Sequence, residues 1–289
     1  MIQSVGTLYA IQDLFVHLEG HQVQRQEFLQ GFDKYGSSTA QDVYDTATRM
    51  SWICTADSGQ LVPTPLGKSA HQGKDRAARL RYQLATIIES QRPPWAALLP
   101  KGRKEAAVAL PPEIHQCFEE ALLFEEVSEE LVQWWDRLAG IMREFSQRKL
   151  TETGRAGERL TLRYETERTK KMPKWQSFET NFAGYDVLSV MGKTDNSALK
   201  IEVKASERAF KTVLIHITEH EWITAMHSTD AYYFHVWLLD PKPLLFVIPS
   251  ADVLAHIPKN HGKGTWRNCC MPLGALSHPS KGIAVAAYY

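Results

Sequence analysis

Two carboxylates and a lysine fall where paired strands would bring them together. Asp186 closes the run Gly184-Tyr-Asp186, and Glu202 and Lys204 stand two residues apart in Ile201-Glu-Val-Lys204. A strand alternates its side chains between faces, so Lys200, Glu202 and Lys204 share one face of a strand over 199–205 while Leu199, Ile201 and Val203 share the other. The polar turn Gly192-Lys-Thr-Asp-Asn-Ser197 connects it to a strand expected over 184–190, and a hairpin pairing places Asp186, Glu202 and Lys204 on one surface. Charges converging there are costly to bury unless they are paired or coordinated to a metal. Carboxylates supply the oxygen ligands that a hard divalent cation takes, and Mg2+ or Mn2+ is the expected cofactor. Such a cation polarises a phosphate and lowers the pKa of its bound water, while Lys204 would hold that water or stabilise developing charge. The chemistry indicated is phosphodiester hydrolysis. Glu158, on a preceding helix, can supply a further ligand or orient one.

Other chemistries find less support. His220-Glu221 begins like a zinc-protease string, but Thr224 stands where the second histidine is needed. No GxxxxGK[ST] loop and no methyltransferase signature occurs, so the chain carries no ATP motor or modification chemistry of its own. The cysteines Cys54, Cys117, Cys269 and Cys270 make no CxxC pair and read as reduced thiols; chelation by Cys269, Cys270 and His261 is the one metal grouping they allow. His216, His235 and His256 read as surface or core histidines.

The elements that must position this chemistry begin near Thr151. A helix carrying Gly154-Arg-Ala-Gly-Glu158 precedes the two strands. A third strand is expected over 212–218 with Val213, Ile215 and Ile217 inward, then a helix over 219–227 and strands over 231–239 and 243–248. Trp222 reads as core packing and Glu221 as compensation of the helix dipole. These elements predict an α/β fold, a mixed β-sheet flanked by helices, built around a three-stranded meander.

The first half is mostly helical. Apolar spacing predicts helices over 8–18 and 23–32, and Ser37, Ser38 and Thr39 are N-cap candidates for a third helix through Met50. Gln41, Asp42, Asp45, Thr46 and Arg49 are its expected exposed positions. A hairpin follows, turning at Asp57-Ser-Gly59, and Pro63-Thr-Pro-Leu-Gly67 closes it. A helix over 74–92 has Lys74, Arg76, Arg79 and Arg81 on a basic face, a loop-rich connector is expected over 95–112, and helix resumes from Glu113 to Phe145. The expected division is 1–72, a helical connector region 73–150, and 151–289.

Charge bears on what this chain meets. The 33 basic and 33 acidic side chains cancel, yet residues 1–145 hold 14 basic against 19 acidic and residues 146–289 hold 19 basic against 14 acidic. Arg155, Arg159 and Arg163 recur every four residues on the helix that carries Glu158, and Arg168, Lys170, Lys171 and Lys174 follow on the loop expected to lead to the Asp186 strand. Cations beside a hydrolytic site fit the phosphates flanking a scissile bond, so these residues are expected to contact nucleic acid. The acidic stretch from Glu113 to Asp136 should avoid DNA and meet another copy or a partner protein. At 44% hydrophobic and 23% charged, the composition excludes wholesale disorder. No apolar run is long enough to span a bilayer, and Met1 to Gly20 lacks the features of a secretion signal, so no membrane association and a cytoplasmic location are expected.

Two resemblances sharpen this reading. Residues 5–72, with three short helices, a two-stranded wing and the Thr64-Pro-Leu-Gly67 segment, resemble the winged helix-turn-helix fold. Its third helix would face a DNA major groove, although that helix is poor in cations and a docking or dimerisation role stays open. From about 150 to 250, Gly157-Glu158, Trp175-Gln-Ser-Phe178, Gly184-Tyr-Asp-Val-Leu-Ser189, Ile201-Glu-Val-Lys204 and Thr218-Glu-His-Glu-Trp222 resemble the PD-(D/E)xK nuclease superfamily, in particular the NO VEIN-type C-terminal domain. The resemblance implies a restriction-endonuclease-like core in which Asp186 and Glu202 bind metal, Lys204 is catalytic and Glu158 assists. Tyr185 stands where the superfamily name calls for proline. The expectation is a metal-dependent endodeoxyribonuclease, restriction-like or a host-defence effector, acting as a homodimer or with partner proteins. A non-cleaving DNA-binding or scaffold protein and a ribonuclease are the alternatives.

Overall fold

The computed structural model describes residues 4–31, 38–125, 128–180, 182–260 and 264–285; Phe32, Ser37 and His261 lie outside the described residues. The chain forms two compact units, Met1–Gln147 and Arg148–Tyr289.

The first unit begins with helices α1 (Val5–Gly20), α2 (Arg25–Gly31) and α3 (Ala40–Arg49), followed by the antiparallel strands β1 (Ile53–Thr55) and β2 (Leu61–Pro63). Thr39 is the N-cap of α3, its side chain accepting from the Asp42 amide while Asp42 reaches back to the Thr39 amide. Thr46, expected on the exposed face, is buried instead. Next come α4 (Pro65–His71), α5 (Arg76–Gln91), a 3-10 turn (Pro94–Lys101), α6 (Arg103–Ala109) and α7 (Pro112–Glu120). Residues 95–112 are therefore helical rather than loop-rich, and the helix expected over 113–145 breaks after Glu120, in a turn over 121–124. Residues 73–147 share one core with the first three helices, Leu8, Ile11 and Trp52 joining Leu84, Phe118 and Trp134, so they are not a separate connector. Arg81, expected on a basic face, is buried, donating to the Ala121 carbonyl and pairing with Glu130 at 3.1 Å.

Helix α8 (Glu129–Thr169) runs unbroken for 41 residues, and the division between units falls within it. The second unit continues with β3 (Lys174–Trp175), a single helical turn α9 (Gln176–Glu179), β4 (Val187–Val190), β5 (Ala198–Ser206), β6 (Leu214–Thr218), α10 (Glu219–Met226), β7 (Tyr232–Leu238), β8 (Leu244–Pro249), β9 (Asn268–Pro272) and β10 (Ile283–Ala284). Its main sheet has the order β10-β8-β7-β5-β4-β3 and is mixed: β5 and β7 are parallel and the other neighbours antiparallel. The expected three-stranded meander does not form. β6 leaves this sheet and pairs with β9 about fifty residues on, aligning Ile215 with Met271 and Ile217 with Cys269, while β5 pairs directly with β7.

Both faces of the sheet are covered. Val187, Ile201, Val203, Trp237 and Leu245 form one apolar layer with Leu160 and Leu162 of α8; Ile215, Ile217, Trp222, Phe234, Phe246 and Ile248 form the other. Gly157 permits the close crossing of α8, because a Cβ there would lie 2.7 Å from the Ala205 Cβ. Among the described residues, no helix is long and apolar enough to cross a membrane.

Candidate active site

The pairing of β4 with β5 aligns Val187 with Ile201, and the Asp186 amide donates to the Ile201 carbonyl at 2.9 Å. Asp186 thereby lies beside Glu202. Its Oδ2 accepts from the Val203 amide at 2.8 Å, and no other described residue hydrogen bonds to its carboxylate. The backbone leading into it is set by Gly184, whose φ of 73° is in the left-handed region and whose α-carbon has no room for a side chain: a Cβ would sit 2.2 Å from Thr224 Oγ1. Tyr232, buried on β7, donates its hydroxyl to the Gly184 carbonyl at 2.7 Å and holds that turn in place.

Glu202 is buried, and its Oε1 accepts from Lys204 Nζ at 2.8 Å. The same ammonium donates to Glu221 Oε1 at 3.0 Å. Glu221 is also a capping residue of α10: its Oε2 accepts from the Thr218 amide at 2.9 Å, while Thr218 Oγ1 caps the Glu221 amide. Reading Glu221 as a helix-end residue identified half of its role. Trp222, beside it, is buried in the core as expected.

The electrostatics follow from burial and crowding. Burial pushes the Asp186 carboxyl up to about 6, against the Val203 hydrogen bond, and the negative charges of Glu158 and Glu221 add to the rise. Burial also raises Glu202 well above the usual carboxylate range, with Lys204 opposing. For Lys204, burial favours the neutral amine, but Glu202 and Glu221 outweigh it and hold the group charged. Burial alone would raise Glu221; Lys204 and the Thr218 amide reverse the sign and lower it.

Glu158 occupies a neighbouring nest. Its Oε2 accepts from Ser177 Oγ at 2.6 Å, from Arg155 Nη1 at 2.8 Å and from the Trp175 indole N–H. Arg155 and Arg159 lie over the Trp175 ring, their guanidinium carbons 5.4 and 5.7 Å from its centre. Trp175 and Ser177 were not among the candidate site residues; their polar atoms meet Glu158 only because β3 and α9 return the chain to α8. The basic residues divide. Arg159, Arg163, Lys170 and Lys174 are exposed; Arg155 donates to Glu158 and Lys171 to Asn196. Arg168 is not on a loop but in α8, where it pairs with buried Glu165 at 2.6 Å and donates to the Val190 and Met191 carbonyls.

Among the described residues, no three or more His, Cys, Asp or Glu side chains form a ready metal-binding group. The donor chemistry nonetheless suits a hard divalent cation: Asp186, Glu202, Glu158 and Glu221 contribute four carboxyl groups against the two cations Lys204 and Arg155. Cys269 and Cys270 do not chelate together. Strand alternation buries the first and exposes the second, whose Sγ lies 3.7 Å from His216 Nε2 across the β6–β9 pair.

The second unit is thus an α/β domain with a mixed sheet, helices on its faces and an acid-rich polar cluster where β4, β5 and α10 meet. Residues 157–248, from Gly157 through β8, match the family described as Protein NO VEIN, C-terminal. No curated protein and no solved structure matches the chain.

Proposed function

We propose that the second unit is a divalent-metal-dependent endodeoxyribonuclease with a PD-(D/E)xK-type, restriction-endonuclease-like core. The observation that carries this reading is the convergence of Asp186, Glu202 and Lys204 from adjoining strands into one site where carboxylates outnumber cations. Asp186 and Glu202 would hold Mg2+ or Mn2+, with Glu158 as a further ligand or as a positioning group. The bound cation would polarise the phosphate and acidify a water molecule.

The chain's own residues do the rest. Lys204, kept charged by Glu202 and Glu221, presents a fixed ammonium to the charge that builds on the phosphate as the bond breaks. The Val203 amide fixes one oxygen of Asp186 and leaves the other available for a ligand. Arg159, Arg163, Lys170 and Lys174 offer an exposed cationic path for the flanking phosphates. In the first unit, three helices followed by the β1–β2 hairpin support a winged-helix reading. The Asp42 cap and the Gln41–Asp45 hydrogen bond at 2.7 Å leave α3 poorly suited to phosphate, which favours docking of a protein or a second copy there. Working without a motor, a restriction-like or host-defence effector in the cytoplasm is the biological setting this composition suits.

The test is incubation of the full-length protein with plasmid DNA and Mg2+ or Mn2+. Cleavage that needs metal and disappears in Asp186→Ala and Lys204→Ala is expected; cleavage that persists in both variants overturns the assignment. A second reading, a non-cleaving DNA binder, is favoured by one observation: Lys204 is already satisfied by two carboxylates. Salt-sensitive DNA binding without hydrolysis in any metal would select it. RNA substrates run in parallel separate a ribonuclease.

A further inference from the structure

Three large apolar side chains are left in water on the short segment between the helix carrying Glu158 and the strand entered through Asp186. Met172 is 93% exposed, Phe178 72% and Phe182 89%. Such residues are ordinarily inside. Two of them are tied to opposite flanks of the acid cluster. The Phe178 ring lies 5.6 Å from that of Trp175, tilted by 38°, and Trp175 donates to Glu158. The Phe182 carbonyl pairs with His220 Nε2 at 3.0 Å, and His220 adjoins Glu221 on α10. Among the described residues, neither phenyl ring belongs to the hydrophobic layers of the second unit.

We infer that Phe178 and Phe182 are base-stacking platforms and that the site takes single-stranded or locally unpaired DNA. The inference rests on the hydrolase reading for its location and deepens it by naming the substrate form. Exposed aromatic rings beside a cationic track are the combination that binds single strands, since every base has a π-face and every nucleotide a phosphate. Here the Phe178 ring packs against Trp175, over which Arg155 and Arg159 lie, and exposed Lys174 adjoins the same segment. In duplex DNA the bases are already stacked on one another and offer these rings no face. The charge complementarity of the neighbouring arginines selects a polyanion over an apolar protein surface as the occupant.

The experiment measures fluorescence anisotropy of the full-length protein with labelled oligothymidine and with a blunt duplex of equal length, both in Ca2+. Tighter binding of oligothymidine is expected. Phe178→Ala combined with Phe182→Ala should weaken that binding by about tenfold per ring while leaving duplex binding unchanged. Phe178→Trp with Phe182→Trp should restore it. Both phenylalanines are exposed, so the variants keep the fold, which circular dichroism verifies. A preference for duplex, or oligothymidine binding unchanged in the double alanine variant, overturns the stacking site; absence of binding to either DNA overturns it together with the hydrolase reading. A protein that binds oligothymidine through the two rings but never cleaves keeps the stacking site and loses the hydrolase.

Discussion

Lys204 Nζ donates to Glu221 Oε1 across 3.0 Å, joining β5 to the first turn of α10. Because Thr218 pins the other oxygen of Glu221, the helix end acts as a fixed stop for the lysine. The ammonium therefore stands between two carboxylates and is held charged despite its burial. In that state it orients and neutralises; it does not accept a proton.

Replacing Lys204 by Met separates these roles. Cleavage should fall by roughly 10²–10³-fold, the scale for removing one preorganised charge from a transition state. Glu202 and Glu221 are then left as like charges in a buried site, so stability should drop by about 2–4 kcal/mol. The carboxyl that protonates binds its proton more tightly in the folded chain than in the unfolded one, so the deficit should grow as pH rises and shrink toward about pH 5. Glu221→Gln keeps the cap and should lower cleavage only about tenfold. Denaturant titrations at about pH 5 and about pH 8 and plasmid assays check each outcome.

Asp186→Asn should abolish cleavage and yet stabilise the metal-free protein. The folded carboxyl titrates at about 6, above its unfolded range, so between about pH 4 and 6 the folded state binds more protons and stability falls as pH rises. Asparagine removes that loss while keeping an acceptor for the Val203 amide. A gain of about 1–2 kcal/mol is expected in EDTA near pH 8, vanishing below about pH 4. Thermal unfolding of the two proteins measures it; a destabilised variant at pH 8 would contradict the electrostatic account.

His235 places an acid limit on the second unit. It is buried on β7, edge-on to Tyr164, 4.0 Å from Glu165 and near Arg168, and its Nδ1 has no hydrogen-bond partner among the described residues. Burial lowers its pKa to about 4; Glu165 opposes the shift and Arg168 adds to it. The unfolded histidine takes its proton near 6.5, so stability is fully present above that pH and is lost as pH falls toward 4, by about 3 kcal/mol. His235→Phe should flatten this dependence. Urea midpoints between about pH 4 and 7 report the difference.

The cationic track should reveal itself in salt dependence. Along α8, Arg155 and Arg163 are separated by ~12 Å, from the rise of a helix, so they would touch phosphates at different nucleotides. Arg159→Ala and Lys174→Ala should each reduce the slope of log K against log salt by roughly 0.7–0.9, depending on strand form, and weaken binding to all sequences alike. A slope unchanged in the pair would move the DNA path elsewhere.

The polar cluster was only partly legible along the chain. Asp186, Glu202 and Lys204 could be grouped because strand alternation has a period of two and a polar turn marks the hairpin, both of which are local. Glu221 could be seen to cap a helix, since the Thr218-Glu-His-Glu221 string is local as well, but its contact with Lys204 depends on how β6 and α10 return over β5. The nest of Trp175 and Ser177 around Glu158 needs the same kind of long return. Arg81 shows the opposite error: helical periodicity marks a charged face, but only packing decides whether a residue on that face meets water or the interior.

By itself the sequence determined the α/β character of the second unit, the local pairing of β4 with β5 and the chemical identity of the donors. Hydrophobic period and turn residues act over a few positions and are written directly in the chain. Only the tertiary structure decided that β6 joins β9 instead of the main sheet, that residues 73–147 belong to the first core, and that Glu221 meets Lys204. Those outcomes depend on which distant apolar faces exclude water together, and hydrophobic burial carries no direction or address along the chain.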